Sequence, residues 1–144
     1  MKEALGLVLL IIFGGWAMNY ELATRNYNTE SQAVNNLTYR YTQVAGKKGE
    51  LSTIIFNEFE KKLAIYGDYE ITIVAEKFNE DDTITRLEND SVVDLPLREN
   101  EFDILTIYVQ EKNRHLLSTI FEVSPLGRLE SDIHLAGKAS VYIQ

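Results

Sequence analysis

The sequence predicts an α+β fold in which one long N-terminal helix spans a membrane and continues as an amphipathic helix on a small antiparallel β-sheet. Three observations predict it: an uncharged run from Ala4 to Met18, an apolar stripe at helical spacing that continues beyond this run, and a later change to the two-residue period of strands. The 144 residues leave room for a single domain of this kind and its anchor.

The uncharged run predicts a membrane anchor over residues 1–20. Counted to Tyr20 it has 17 residues, or about 25 Å of helix, near the lower limit for crossing a hydrocarbon core. Apolar side chains surround the whole helix, which argues against a buried helix of a soluble protein. A cleaved secretory signal is the alternative, because Gly15-Trp16-Ala17 offers small residues at the cleavage positions. A retained anchor with Trp16 and Tyr20 as interfacial aromatics is the preferred interpretation.

The charges flanking the run give its orientation. Lys2 and the amino terminus lie on one side, and Arg25 and Arg40 lie on the other, so the count of positive charges is nearly even. From residue 21 onward there are 13 Lys and Arg against 21 Asp and Glu, and long domains translocate largely regardless of charge. We therefore expect a single-pass protein of the cell membrane with its C-terminal domain outside the cytoplasm.

An apolar stripe continues from the anchor into residues 21–46. Its members follow one another at alternating spacings of four and three, which places them on one side of a continuous helix that is predicted to end at Ala45, before Gly46. The stripe residues, which are the candidate packing and assembly residues, are Trp16, Tyr20, Ala23, Tyr27, Glu30, Val34, Leu37, Tyr41 and Val44.

Two interpretations of the stripe stay open. In the first, it packs on the chain's own sheet, at least from Val34 to Val44. In the second, Tyr20, Ala23 and Tyr27 lie too close to the membrane for the sheet to reach them, and they meet helices of other subunits instead.

The remaining residues 47–144 predict a small α+β domain. A second helix begins at the N-cap Ser52 and ends at Gly67. The predicted strands cover Tyr69 to Glu76, more weakly Thr83 to Glu88, an antiparallel hairpin of Phe102 to Gln110 with Leu116 to Ser124, and a last strand from Lys138 to Gln144. The stretch from Glu88 to Glu101 is predicted to be a loop.

Little in the sequence indicates chemistry. The chain has no Cys, and its net charge of −8 lacks the concentrated positive charge that nucleic-acid binding needs. His134 with Asp132 and nearby serines could be drawn as a triad, but nothing orders these residues. Asn79 to Asp82 fits a solvated turn better than a cation site. We therefore expect no enzyme activity, no cofactor, no metal, no small-molecule substrate and no direct contact with nucleic acid.

The layout resembles that of the type IV pilin-like proteins. The likeness is carried by the run Ala4 to Met18, the helix through Ala45-Gly46, the segment Gly49 to Leu63 and the closing Gly137-Lys138-Ala139-Ser140. It is similar most of all to TadE-like pseudopilins and to related single-span proteins encoded on Gram-positive conjugative elements.

The resemblance implies a structural role. It would make the protein a membrane-anchored subunit of a pseudopilus, secretion or conjugation apparatus that associates with itself or with other pilin-like subunits through the N-terminal helix. It also implies that Glu3 pairs with the amino terminus of a neighbouring subunit. The alternative is a monomeric, secreted or anchored binding module that uses Tyr39, Tyr41 or the loop from Glu88 to Glu101.

Overall fold

The computed structural model describes residues 1–122 and 133–144, and these residues form an α+β fold, as predicted. The helices are α1 (Lys2–Lys48), α2 (Thr53–Leu63) and α3 (Leu116–Glu122), with a 3-10 turn at Asn89–Ser91. The strands are β1 (Tyr69–Phe78), β2 (Ile84–Glu88), β3 (Ile104–Glu111) and β4 (Ala136–Tyr142). They form one antiparallel sheet in the order β2-β1-β3-β4.

The long helix α1 ends three residues later than predicted. Gly49 adopts the left-handed conformation, with φ 71°, and its N–H bonds to the carbonyl groups of Ala45 and Gly46. Gly46, the predicted stop, lies inside the helix, so that prediction is wrong. A Cβ on Gly46 would lie 2.5 Å from Cγ1 of Val141, so glycine is required there because β4 approaches the helix closely.

One face of the sheet packs against the C-terminal part of α1. In the register of the sheet, Ile73 lies opposite Ile107, which in turn lies opposite Ala139 of β4. Residues that face each other across strands point to the same side of a sheet, so these three share the helix side. With Phe59 and Leu63 of α2 they belong to a core in which most side chains are almost fully shielded from solvent.

The predicted hairpin of residues 102–110 and 116–124 does not form. Residues 116–122 are the helix α3, so the strand prediction is wrong there, and Val123 and Ser124 lie outside the described residues. β3 pairs with β1 and β4 instead. Leu117 and Ser118 are buried, and α3 packs against α1, so a contact with a distant part of the chain decides its structure.

The α2 segment follows the sequence prediction at its start. Ser52 is the N-cap, and its Oγ accepts a hydrogen bond from the backbone N–H of Ile55.

The predicted loop from Glu88 to Glu101 is largely irregular, but it is not a free surface loop. Val92 and Leu97 in it are fully buried, which fixes the loop to the domain core.

Candidate membrane and packing surface of the long helix

The N-terminal end of α1 projects from the domain with its apolar side chains uncovered. The large apolar residues from Leu5 to Phe13 are 40% to 74% exposed. An 18-residue window of α1 has a mean hydropathy of 1.6, and none of it is buried. Within the described residues α1 is the one helix long and apolar enough to cross a membrane by length and composition.

The next part of the stripe carries two aromatic residues that contact α3. The rings of Trp16 and Tyr20 stack with centroids 5.6 Å apart. The Trp16 indole N–H donates to the carbonyl oxygen of Ile120 at 3.3 Å, and the Tyr20 ring lies 5.4 Å from that of Phe121 in an edge contact. These contacts fasten the last turn of α3 to the part of α1 that follows the projecting end.

In the second interpretation of the stripe, the sheet does not reach Tyr20, Ala23 and Tyr27 and helices of other subunits cover them, but in the structure this chain's own α3 lies along this part of α1. Ala23 is only 3% exposed, and Tyr20 and Tyr27 are half-buried. No strand is needed to cover them, because α3 lies along this part of α1. The sequence prediction missed this because it assigned residues 116–122 to a strand of the sheet.

The polar member of the stripe, Glu30, holds the start of α3. His115 precedes α3 and is 5% exposed. Its Nδ1 accepts a hydrogen bond from the backbone N–H of Leu117 at 3.2 Å, so Nε2 carries the proton and donates to Oε2 of Glu30 at 3.1 Å. The ring also contacts that of Tyr27 at 5.0 Å. The one polar position in an apolar stripe is therefore explained by its hydrogen bond to a buried histidine.

Further along α1 the stripe packs on the chain's own sheet and on α2. Val34 and Tyr41 are buried, and Leu37 is half-buried against the same core. Val44 differs from the prediction, because it is 38% exposed and Ala45 is buried in its place. Thr38 and Thr42 are also fully buried, and their hydroxyls donate to the helix carbonyls of Val34 and Thr38.

Tyr41 links α1 to α2 through a charged pair. Its hydroxyl donates to Oε1 of Glu58 at 2.7 Å, and Lys62 lies 2.9 Å from the same oxygen. The hydrogen bond from Tyr41 and the interaction with Lys62 lower the pKa of Glu58. The Tyr41 ring itself packs at 5.3 Å from the ring of Phe59.

Tyr69, at the start of β1, has a buried hydroxyl with no hydrogen-bond partner in the described part of the chain. Burial, together with the nearby carboxylates of Glu111 and Glu30, raises the pKa of Tyr69 to about 12. The hydroxyl therefore stays protonated at neutral pH and is a cost to stability rather than a reactive group.

The remaining candidate residues lie outside the buried part of the stripe. Glu3 is exposed in the first turn of α1. His134 donates from Nδ1 to the carbonyl oxygen of Glu111. Asp132 and the serines considered with it, Ser124 and Ser131, lie outside the described residues. Tyr39 is 60% exposed.

Nothing in the described residues forms a metal site. No group of three or more His, Cys, Asp or Glu side chains in that part of the chain could hold an ion. In the turn after β1, Oδ1 of Asp81 accepts hydrogen bonds from the N–H and hydroxyl of Thr83, and Asn79 donates to the hydroxyls of Thr83 and Thr85. The side chains of this turn are thus engaged with one another.

Comparison with known protein families, with curated proteins and with solved structures found no match to this chain.

Proposed function

We propose that the protein is a single-span, membrane-anchored structural subunit, pilin-like in layout, that serves a pseudopilus, a secretion system or a conjugation apparatus from outside the cytoplasm. One observation carries the proposal. The same helix has an apolar end with none of its 18-residue window buried and an opposite end that forms part of the domain core.

The apolar end needs a cover for energetic reasons. Eight large apolar side chains between Leu5 and Phe13 keep roughly half of their surface exposed. Removing that exposed half from water is worth roughly 1 kcal/mol for each side chain, or about 8 kcal/mol for the set. This is comparable to the entire stability of a typical small domain. A hydrocarbon layer is the cover that suits a helix that is apolar on all sides.

The proposed contact between subunits is confined to the projecting end of α1. The chain's own α3 covers the stripe around Ala23, and the sheet and α2 cover it around Tyr41. Every residue of the segment from Lys2 to Gly15 is exposed, and the segment includes Glu3, which can pair with a neighbouring amino terminus within an assembly. Association through this segment would leave the acidic domain free to face outward.

The anchor is tested by charge insertion. Wild-type protein is expected to stay with membranes during carbonate extraction. Replacing Leu9 and Leu10 with Asp places two charges in the span, at a cost on the order of 5 kcal/mol, and should release or destabilise the protein in the cell. Replacing Ile54 and Ile65, which are 79% and 78% exposed in the domain, with Asp is the matched control and should leave extraction unchanged. A soluble mature form that begins near Met18 would instead establish a cleaved signal.

The subunit contact is tested by crosslinking in native membranes. The chain has no Cys, so a single Cys at Gly14, where nothing lies within 4 Å of the added Cβ, reports on neighbours without disturbing the domain. Crosslinked multimers are expected from this variant and not from a Cys at exposed Asn57 on α2. If the Gly14→Cys protein stays monomeric while its domain is folded, the monomeric binding module becomes the better proposal.

A further inference from the structure

The geometry points to a second membrane contact. We propose that the last turn of α3, Ile120 to Glu122, lies in the interfacial layer of the bilayer beside Trp16 and Tyr20, so that the domain is seated on the lipid surface. The occupant of this surface is the lipid bilayer itself. The inference rests on the proposed anchor and adds a position for the domain relative to the membrane.

Depth along α1 follows from the helix rise. With the uncharged run of 17 residues from Ala4 to Tyr20 filling the hydrocarbon core, Tyr20 lies at the outer boundary of that core, and Trp16 lies four residues, or about 6 Å, below it. This boundary is the interfacial layer in which Trp and Tyr are enriched. The contacts of these two residues with α3, 3.3 Å to the Ile120 carbonyl oxygen and 5.4 Å between rings to Phe121, fix the last turn of α3 at the same depth.

The direction of α3 agrees with this position. Its start lies beside Tyr27, whose ring is 5.0 Å from that of His115. Its end lies beside Tyr20 and Trp16, which are nearer the amino terminus of α1. The helix α3 therefore descends along α1 towards the membrane, and its C-terminal end approaches the lipid.

The chemistry of α3 suits an interface with little water. Residues 116–121 carry no charge, and Ile120 and Phe121 in the last turn keep part of their surface exposed. The Ile120 carbonyl oxygen accepts the hydrogen bond of the Trp16 indole N–H, so this polar contact is made within the chain. Glu122, the one charged residue of α3, is paired with Arg114 at 2.8 Å.

The charge balance of the domain identifies the driving force. With a net charge of −8 the chain gains nothing from anionic headgroups, so the contact of α3 with the lipid depends on apolar side chains. It should form on zwitterionic phosphatidylcholine and persist at high salt. This behaviour separates it from an electrostatic surface contact, which salt would weaken.

The test uses the full chain in phosphatidylcholine nanodiscs with an environment-sensitive fluorophore on a single introduced Cys. Labels at Ile120→Cys and at Thr119→Cys, on the exposed neighbouring residue, report on the contact between α3 and the lipid. Leu9→Cys reports on the anchor, and Asn57→Cys on α2 is the control in the domain. We expect a lipid with a nitroxide close to its headgroup to quench labels 119 and 120 several-fold more than label 57.

The outcomes separate the two proposals. If labels 119 and 120 are quenched no more than label 57, while label 9 is quenched by a nitroxide deep in the acyl chains, the proposed contact of α3 with lipid is refuted and the membrane anchor is supported. If label 9 is not quenched either, both the membrane anchor and the contact of α3 with lipid are refuted. Two labelled positions on α3 are used because a packing defect caused by losing the Ile120 side chain would not be shared by Thr119.

Discussion

Gly46 gives the sharpest test of how α1 packs on the sheet. Replacing glycine with alanine inside a helix usually stabilises a protein by up to about 1 kcal/mol, because alanine is the better helix former. At Gly46 the new Cβ would lie 2.5 Å and 3.0 Å from the two methyl groups of Val141 and 3.3 Å from its Cβ. Rotation of the valine can move only one of its two methyl groups away at a time, so a methyl group stays within 3.0 Å of the new Cβ.

The expected sign of Gly46→Ala is therefore opposite to the usual one. Overpacking of a filled core costs about 1–3 kcal/mol, which outweighs the gain in helix propensity and leaves a net loss of roughly 1 kcal/mol. In a Val141→Ala background the two methyl groups are absent, and Gly46→Ala should then stabilise the protein. The two substitutions should thus be coupled by on the order of 2 kcal/mol.

The assay is denaturation of the full chain in mild detergent, followed by the near-ultraviolet signal of its eight tyrosines. The four proteins of the cycle are wild type, each single variant and the double variant. If Gly46→Ala stabilises the protein equally in both backgrounds, the close approach of β4 to α1 is refuted. A destabilisation that is the same in both backgrounds would also refute it, because the clash would then not involve Val141.

Three further outcomes follow from the geometry. Tyr69→Phe should stabilise the protein by about 1 kcal/mol in the same denaturation assay, because it removes a buried hydroxyl that has no partner among residues 1–122 and 133–144. Tyr41→Phe should destabilise the protein, because it removes the hydrogen bond to Glu58. The carboxylate of Asp94 accepts hydrogen bonds from the hydroxyl and the backbone N–H of Thr53, and these bonds lower the pKa of Asp94 in the folded protein. The ionised carboxylate therefore stabilises the fold above the unfolded pKa of about 3.9. This stabilisation is lost as the pH falls through the lower pKa of the folded protein. Asp94→Asn should therefore reduce the slope of stability against pH in acid. His115→Ala removes the bonds that hold the start of α3 and should speed amide hydrogen exchange in α3 but not in the sheet, and equal protection in both proteins would contradict the role given to this histidine.

The fold class could be predicted because two periodicities in the sequence are long and unmixed. The spacing of the stripe from Trp16 to Tyr41 indicates a helix over many turns, and the alternation from Tyr69 to Glu76 indicates a strand. Each pattern extends over enough residues for the two periods to be distinguished. Both elements occur in the structure as the sequence predicts.

The failure at α3 has a physical explanation. Its seven residues span two turns of helix, too few for the period to be decided from sequence, and Thr119 and Ile120 are β-branched residues that favour strands. What fixes it as a helix is the aromatic pair on α1, about 100 residues away in the chain. Local preference could not reveal that contact.

The error at Val44 comes from treating threonine as polar. The strict alternation of four and three predicts position 44, but the buried face contains Thr38, Thr42 and Ala45. Each threonine satisfies its hydroxyl on its own helix and presents a methyl group to the core. A prediction that counts only apolar residues misses such positions.

The place of β4 in the sheet affects how the chain matures during synthesis. Residues of α1 near Ala45 are covered by β4, which lies roughly 95 residues further along the chain. At the usual rates of translation, the ribosome needs about 5–20 s to make that length. During this interval the buried face of α1 lacks β4, the strand with which it makes its most extensive contact, and the nascent domain is exposed to aggregation. A holdase that binds the emerging segment would therefore raise the yield of folded protein more than a faster-folding sheet would.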